Sequence, residues 1–71
     1  LKPLRRDQLA WVNQRIAAGG ARTVDGRALD APLADGLVTD DAHVIYRVDD
    51  DIPVLLPEEG IGTTQWQDFP A

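Results

Sequence analysis

The stretch VIYRVDDDIPVLLPEE, residues Val44 to Glu59, decides the fold of this 71-residue chain. It contains two short runs rich in β-branched and aliphatic residues, Val44–Val48 and Ile52–Leu56. The three aspartates Asp49–Asp51 lie between them, and apolar runs divided by a compact polar turn predict a β-hairpin. Pro57 lacks the N–H that a sheet ladder needs, so we expect the second strand to end at or before it.

One amphipathic helix is predicted on the N-terminal side of this stretch, over about residues 6–18. Leu9, Val12 and Ile16 fall within a narrow arc when successive residues are placed at 100° intervals. The pair Gly19–Gly20 supplies a left-handed stop at the C-terminal end. The segment before the helix, Leu1–Leu4, is expected to be either the end of an edge strand or a lead into the helix.

Further strand signals surround the central hairpin. Residues 21–24 and 27–29 flank an Asp-Gly pair, which predicts a small hairpin with a type I′ turn. Leu37–Thr39 and His43–Val48 form another predicted hairpin and, with Ile52–Leu56, a three-stranded antiparallel meander. Such a sheet is expected to bury one face against the helix. The predicted fold class is therefore α+β, with a small antiparallel sheet of three to four strands and one packed helix.

The chain is long enough for a single small domain, which we place at residues 1–71. It contains no methionine, even at position 1, so we expect a processed or truncated piece that lacks an N-terminal strand. Residues 60–71 are expected to be a loosely structured tail. Its two large aromatics, Trp66 and Phe69, either fold back onto the sheet or are held for a partner.

The charge and the apolar content exclude several function classes. A formal net charge of −5 argues against direct binding to nucleic acid and against docking on anionic lipid. No apolar run approaches the roughly 20 residues that span a bilayer. We therefore expect a cytoplasmic protein with no membrane contact.

No constellation of reactive residues is visible. The chain has no cysteine and no serine, and His43 is its one histidine. The run Asp49–Asp51 lacks the alternate ligand spacing and the distal glutamate of a calcium loop. The sequence therefore predicts no metal site, no cofactor and no enzymatic activity.

The segment Tyr46–Leu56, YRVDDDIPVLL, resembles a small methyltransferase-activator family, the Trm-one-twelve-like proteins and their short bacterial relatives. Members carry an aromatic-Pro-hydrophobic run, an acidic residue, Asp-Gly and Ile-Pro-Val-Leu-Leu. Arg47 stands where proline is common, and Asp51 where glycine is. Zinc-bearing relatives place a Cys-x-x-Cys pair just upstream, where this chain has Thr39 and Ala42. It therefore resembles a zinc-free branch with a zinc-ribbon-like sheet.

That resemblance implies a non-catalytic subunit. Family members bind methyltransferases that use S-adenosylmethionine and act on tRNA, rRNA or translation factors, and they stabilise them by strand addition and apolar contact. The alternative is a small binding or regulatory module of unknown partner, including a homodimer that pairs through its sheet edge.

The candidate partner-binding residues come from the apolar positions of the central hairpin and from the one tryptophan of the helix. In an extended strand, Ile52, Val54 and Leu56 share one face, and Pro53 and Leu55 share the other. We expect one of these faces to cover the helix and the other to be available for a partner or for the C-terminal tail. The full candidate set is Ile45, Ile52, Pro53, Val54, Leu55, Leu56 and Trp11.

Overall fold

A computed structural model describes all 71 residues and shows one helix and a small antiparallel sheet. The predicted α+β fold class is confirmed. Two short 3₁₀ turns, Pro57–Glu59 and Thr63–Gln65, complete the chain. The regular elements are β1 (Lys2–Pro3), α1 (Arg6–Ala17), β2 (Asp35–Val38), β3 (Val44–Asp49), β4 (Ile52–Pro53) and β5 (Ile61–Gly62).

The sheet is built around β3, which is its longest strand. The strand order is β1-β2-β3-β4, and β5 also pairs with β3. Since β2 occupies one edge of β3, β4 and β5 share the other edge. β4 pairs with residues 48–49 of β3 and β5 pairs with residues 44–45. The predicted meander is therefore present, but its third strand ends at Pro53 and not at Leu56. The segment Leu1–Leu4 does contain an edge strand.

Helix α1 has the predicted bounds to within one residue. It ends because Gly19 adopts a φ of +77°, a conformation that costs glycine little. The Gly19 N–H donates to the carbonyl of Ile16 at 3.0 Å, and the Gly20 N–H donates to that of Arg15 at 2.8 Å. These two hydrogen bonds form a Schellman motif, which satisfies carbonyls that the helix end would leave unpaired.

The core lies between the helix and the strands β2, β3 and β5. Val12 and Ile16 are buried on the helix, as predicted. The other buried apolar residues of the core are Leu4, Ala21, Leu33, Val38, Ile45 and Ile61.

The segment Ile52–Leu56 does not cover the helix, contrary to our expectation. The side chains of Ile52, Leu55 and Leu56 are all exposed. The reason is that β5 brings Ile61 opposite Ile45, so another strand takes the place beside the buried part of β3.

The C-terminal segment is not the loosely structured tail that the sequence suggested. Ile61 is 1% exposed and belongs to the core, and the Thr63 hydroxyl donates to the Ala42 carbonyl at 2.6 Å. Trp66 and Phe69 fold back against the core. Burial of Ile61 in the core fixes the position of this segment.

Two turns near the sheet differ from each other in geometry. Asp50 and Asp51 have φ values of 49° and 64°, so the β3–β4 loop has the positive φ pair of a type I′ turn. In the Asp25–Gly26 turn, only Gly26 has positive φ, at 88°. The predicted type I′ turn is therefore wrong here. The N–H of Thr23 donates to the Arg27 carbonyl, which closes a three-residue loop with its left-handed residue last.

Candidate partner-binding surface

Residues Ile52–Leu56, which we name the β4 edge, form an exposed apolar segment at one side of the sheet. Ile52 is 66% exposed, Leu55 50% and Leu56 49%. Three of the chain's five exposed large hydrophobic side chains thus fall within five residues. Clustered apolar exposure of this kind marks an interaction site more often than scattered exposure does.

The backbone of the β4 edge is paired on one side only. Pro53 lies opposite Val48 in β3, and the Val54 N–H donates to the Arg47 carbonyl at 3.0 Å. The Leu55 N–H donates no backbone hydrogen bond, and the outer side of the edge is the one away from β3. No strand lies on that outer side. The edge therefore offers free backbone groups beside its exposed side chains.

Arg47 forms two ion pairs with residues on either side of the β4 edge. Its Nε lies 2.8 Å from Oδ2 of Asp49, and its Nη1 lies 2.8 Å from Oε1 of Glu59. These carboxylates, Asp49 first and then Glu59, raise the pKa of the guanidinium because they accept its hydrogen bonds. Arg47 thus links β3 to the 3₁₀ turn that follows the edge.

Gly60 allows the chain to pass closely over the outer face of β3 after this turn. A Cβ on Gly60 would lie 2.8 Å from Cγ1 of Val44, 3.2 Å from Cε1 of Tyr46 and 3.3 Å from the Pro57 carbonyl oxygen. Only glycine fits this space without displacement. The C-terminal end of the β4 edge is therefore anchored by close packing as well as by the Arg47 ion pair.

Acidic side chains flank the β4 edge at both ends. Asp50 and Asp51 precede it and Glu58 follows it, and all three are exposed. Complementary charge steers association and selects partners. The edge is therefore suited to an apolar strand that carries basic residues near its ends.

Ile45 is not part of this surface. It was a candidate partner-binding residue, but its side chain is fully buried in the core. Strand alternation placed it on one of two faces, and sequence alone did not show which face β5 would cover. Pro53 and Val54 do lie on the β4 edge, Pro53 exposed and Val54 half-buried.

Trp11 lies apart from the β4 edge, in an aromatic cluster that no pattern in the sequence indicated. Its ring meets Trp66 edge to face at 5.2 Å and Phe69 at 5.7 Å between centroids. The guanidinium of Arg15 lies 4.6 Å from the centre of the Trp11 ring, and Arg15 also pairs with Asp68 at 3.2 Å. Trp11 therefore binds the chain's own C-terminal segment.

Thr39 and Ala42 lie in a hydrogen-bonded turn between β2 and β3. The Ala42 N–H donates to the Thr39 carbonyl at 2.8 Å, and the Thr39 hydroxyl donates to Asp41 at 2.5 Å. This hydroxyl and then the His43 N–H lower the pKa of the Asp41 carboxyl. Side-chain oxygens thus close the turn through hydrogen bonds.

Nothing in the structure points to catalytic activity. No three side chains among His, Cys, Asp and Glu come together in an arrangement that could hold a metal ion. Nδ1 of His43, the chain's one histidine, lies 3.5 Å from Oδ2 of Asp41. The chain's helices are also too short and too polar for any of them to cross a membrane.

Fold and surface together define a small α+β domain with one helix, an antiparallel sheet and an exposed strand edge. The chain is similar to the solution NMR structure of XF2673 from Xylella fastidiosa, with 37% sequence identity and a TM-score of 0.90. The match covers 99% of this chain and 72% of that one, so this chain belongs to the same family as XF2673. No protein-family model and no curated protein matches it.

Proposed function

We propose that this protein is a non-catalytic, cytoplasmic subunit that binds and stabilises a methyltransferase. The partner is an enzyme that uses S-adenosylmethionine and acts on tRNA, rRNA or a translation factor. The class of partner comes from the resemblance of residues 37–59 to methyltransferase activators. The observation that carries the binding role is the β4 edge, where exposed apolar side chains and free backbone groups coincide.

Strand addition at the β4 edge accounts for binding with few residues. The N–H and the carbonyl of Leu55, neither of which has a backbone hydrogen bond, can pair with an extended segment, which supplies affinity largely independent of sequence. Burial of the exposed halves of Leu55 and Leu56 adds about 1 kcal/mol each, since full burial of a leucine side chain contributes about 1.5–3 kcal/mol. The side chains then select the partner.

Pairing of two copies through this edge is less favoured. In an antiparallel dimer centred on Val54, the turn that holds Asp50 in one copy approaches the turn that holds Glu58 in the other at both ends of the interface. Like charges directly opposite each other destabilise strand pairs. The acidic flanks thus favour a different chain with basic residues over a homodimer, the second function that the sequence left open.

Affinity purification of the tagged protein from its source cell tests the proposal. We expect a methyltransferase that uses S-adenosylmethionine to be recovered in near-equal amount. Reconstitution with that enzyme should raise its melting temperature and its methyl-transfer rate. Recovery of the protein as a homodimer with no bound enzyme would contradict the proposal, and so would an enzyme whose stability and rate do not respond.

A further inference from the structure

The surface has one cavity, which lies between the Thr23–Gly26 turn and the Gly62–Gln65 segment. Its volume is about 330 Å³. Although the chain has 12 acidic residues, no carboxylate side chain lines this cavity. One cation does line it, Arg22, beside the hydroxyl-bearing side chains of Thr23 and Thr64.

Arg22 differs from most cations of this chain because no carboxylate pairs with it. Four of the seven Lys and Arg side chains form ion pairs, namely Arg5, Arg15, Arg27 and Arg47. The Arg22 guanidinium instead donates from Nη1 to the carbonyl of Gly26 at 3.1 Å. This bond holds the guanidinium at the cavity wall and leaves Nε and Nη2 free to donate to a ligand.

Gln65 joins the two walls and fixes the position of Arg22. Its Oε1 accepts from the Arg22 N–H at 2.9 Å, and its Nε2 donates to the Arg22 carbonyl at 3.0 Å. The same Nε2 also donates to the Gly62 carbonyl at 2.7 Å. These hydrogen bonds join the two walls of the cavity in the free protein.

The carboxylate nearest in sequence does not compete for Arg22. Oδ2 of Asp25 lies 3.2 Å from Nε of Arg27, and its other oxygen accepts from the Thr23 hydroxyl. These contacts direct the Asp25 charge towards its own turn. Arg22 is thus the one charged side chain that lines the cavity.

We propose that this cavity binds the anionic group of a small ligand, a phosphate monoester or a carboxylate. Two free donors of a planar guanidinium match two oxygens of either group. The Thr64 hydroxyl supplies a further donor from the opposite wall. This site is independent of the β4 edge and of the methyltransferase proposal.

The test is a titration of the full chain with inorganic phosphate and, separately, with acetate, followed by amide NMR at constant ionic strength. We expect saturable shifts confined to residues 22–26 and 62–65. Arg22→Gln should weaken binding about tenfold or more, because a charge-assisted pair is lost. A stronger response to phosphate assigns the phosphate monoester, and a stronger response to acetate assigns the carboxylate.

Arg6→Gln is the matched control, since Arg6 is also exposed and unpaired but does not line the cavity. It should leave both titrations unchanged. Thr64→Val gives a second variant that keeps the shape and removes the hydroxyl, and it should weaken binding severalfold. Shifts that fail to saturate, or that survive Arg22→Gln at full affinity, would overturn the proposal.

Discussion

Replacement of Gly60 by alanine tests the packing that anchors the β4 edge. The φ of −66° and ψ of 156° at Gly60 suit any residue, so the cost is entirely steric. The new Cβ would lie 2.8 Å from Cγ1 of Val44, roughly 0.7 Å inside a comfortable carbon–carbon contact. Val44 is β-branched and cannot rotate away easily, and the Pro57 carbonyl blocks retreat at 3.3 Å.

Overpacking of this kind costs about 1–3 kcal/mol. For a domain of this size, that loss lowers the melting temperature by roughly 5–20 °C. Urea unfolding and thermal unfolding, both followed by circular dichroism, measure it. Gly62→Ala is the matched control, because its φ is −75° and the nearest atom to its new Cβ would be 3.9 Å away. Equal stability of the two variants would refute the close approach at Gly60.

Three further predictions concern the turns and the core. Asp51→Gly should raise the free energy of unfolding by about 0.5–1 kcal/mol, because φ at Asp51 is 64° and glycine adopts this conformation at lower cost. Asp30→Gly, at an exposed position without positive φ, should not raise it. Urea unfolding of both variants compares them. Ile45→Lys should abolish the cooperative unfolding transition because it buries an unpaired charge, and a folded variant would place Ile45 outside the core. The lowered pKa of Asp41 means that its contribution to stability is present above the ordinary aspartate pKa and is lost as the pH falls through the folded value. Thr39→Val should raise that pKa in an NMR titration, and an unchanged pKa would show that the hydroxyl is not its main cause.

Local signals were enough to predict the helix and the central hairpin. The stripe of Val12 and Ile16 and the stop at Gly19 are set by neighbours in sequence, so the helix bounds could be read directly. Asp50 and Asp51 likewise lie between two apolar runs, which defines a turn without knowledge of the rest of the chain.

Long-range pairing could not be predicted in the same way. Ile61 is a single apolar residue between two glycines, and its place in the core depends on contact with Ile45, which is 16 positions earlier. The same pairing decides that Ile52, Leu55 and Leu56 face outward. The candidate Ile45 was therefore wrong, because its face is chosen by a strand that has no periodic signal. The candidates on the β4 edge stay predictions.

The aromatic cluster likewise could not be predicted from local sequence patterns. Trp11 lies off the apolar stripe of the helix, and Trp66 and Phe69 lie among polar residues, so no periodicity links them. Their contact depends on the path of the last ten residues, which the Arg15–Asp68 ion pair and the Trp66 hydrogen bond to the Gly20 carbonyl help to fix.

The most direct test of the central claim is the affinity of the recovered partner for two charged variants of this chain. Leu55→Lys places a charge on the β4 edge, and Val24→Lys places one on an exposed valine outside it, 61% exposed. Both variants should fold as the parent does. If the β4 edge is the binding surface, Leu55→Lys should weaken the binding free energy by about 2 kcal/mol or more, which raises Kd roughly thirtyfold. Val24→Lys should change Kd less than about twofold. Equal affinity of Leu55→Lys and the parent chain would contradict the account.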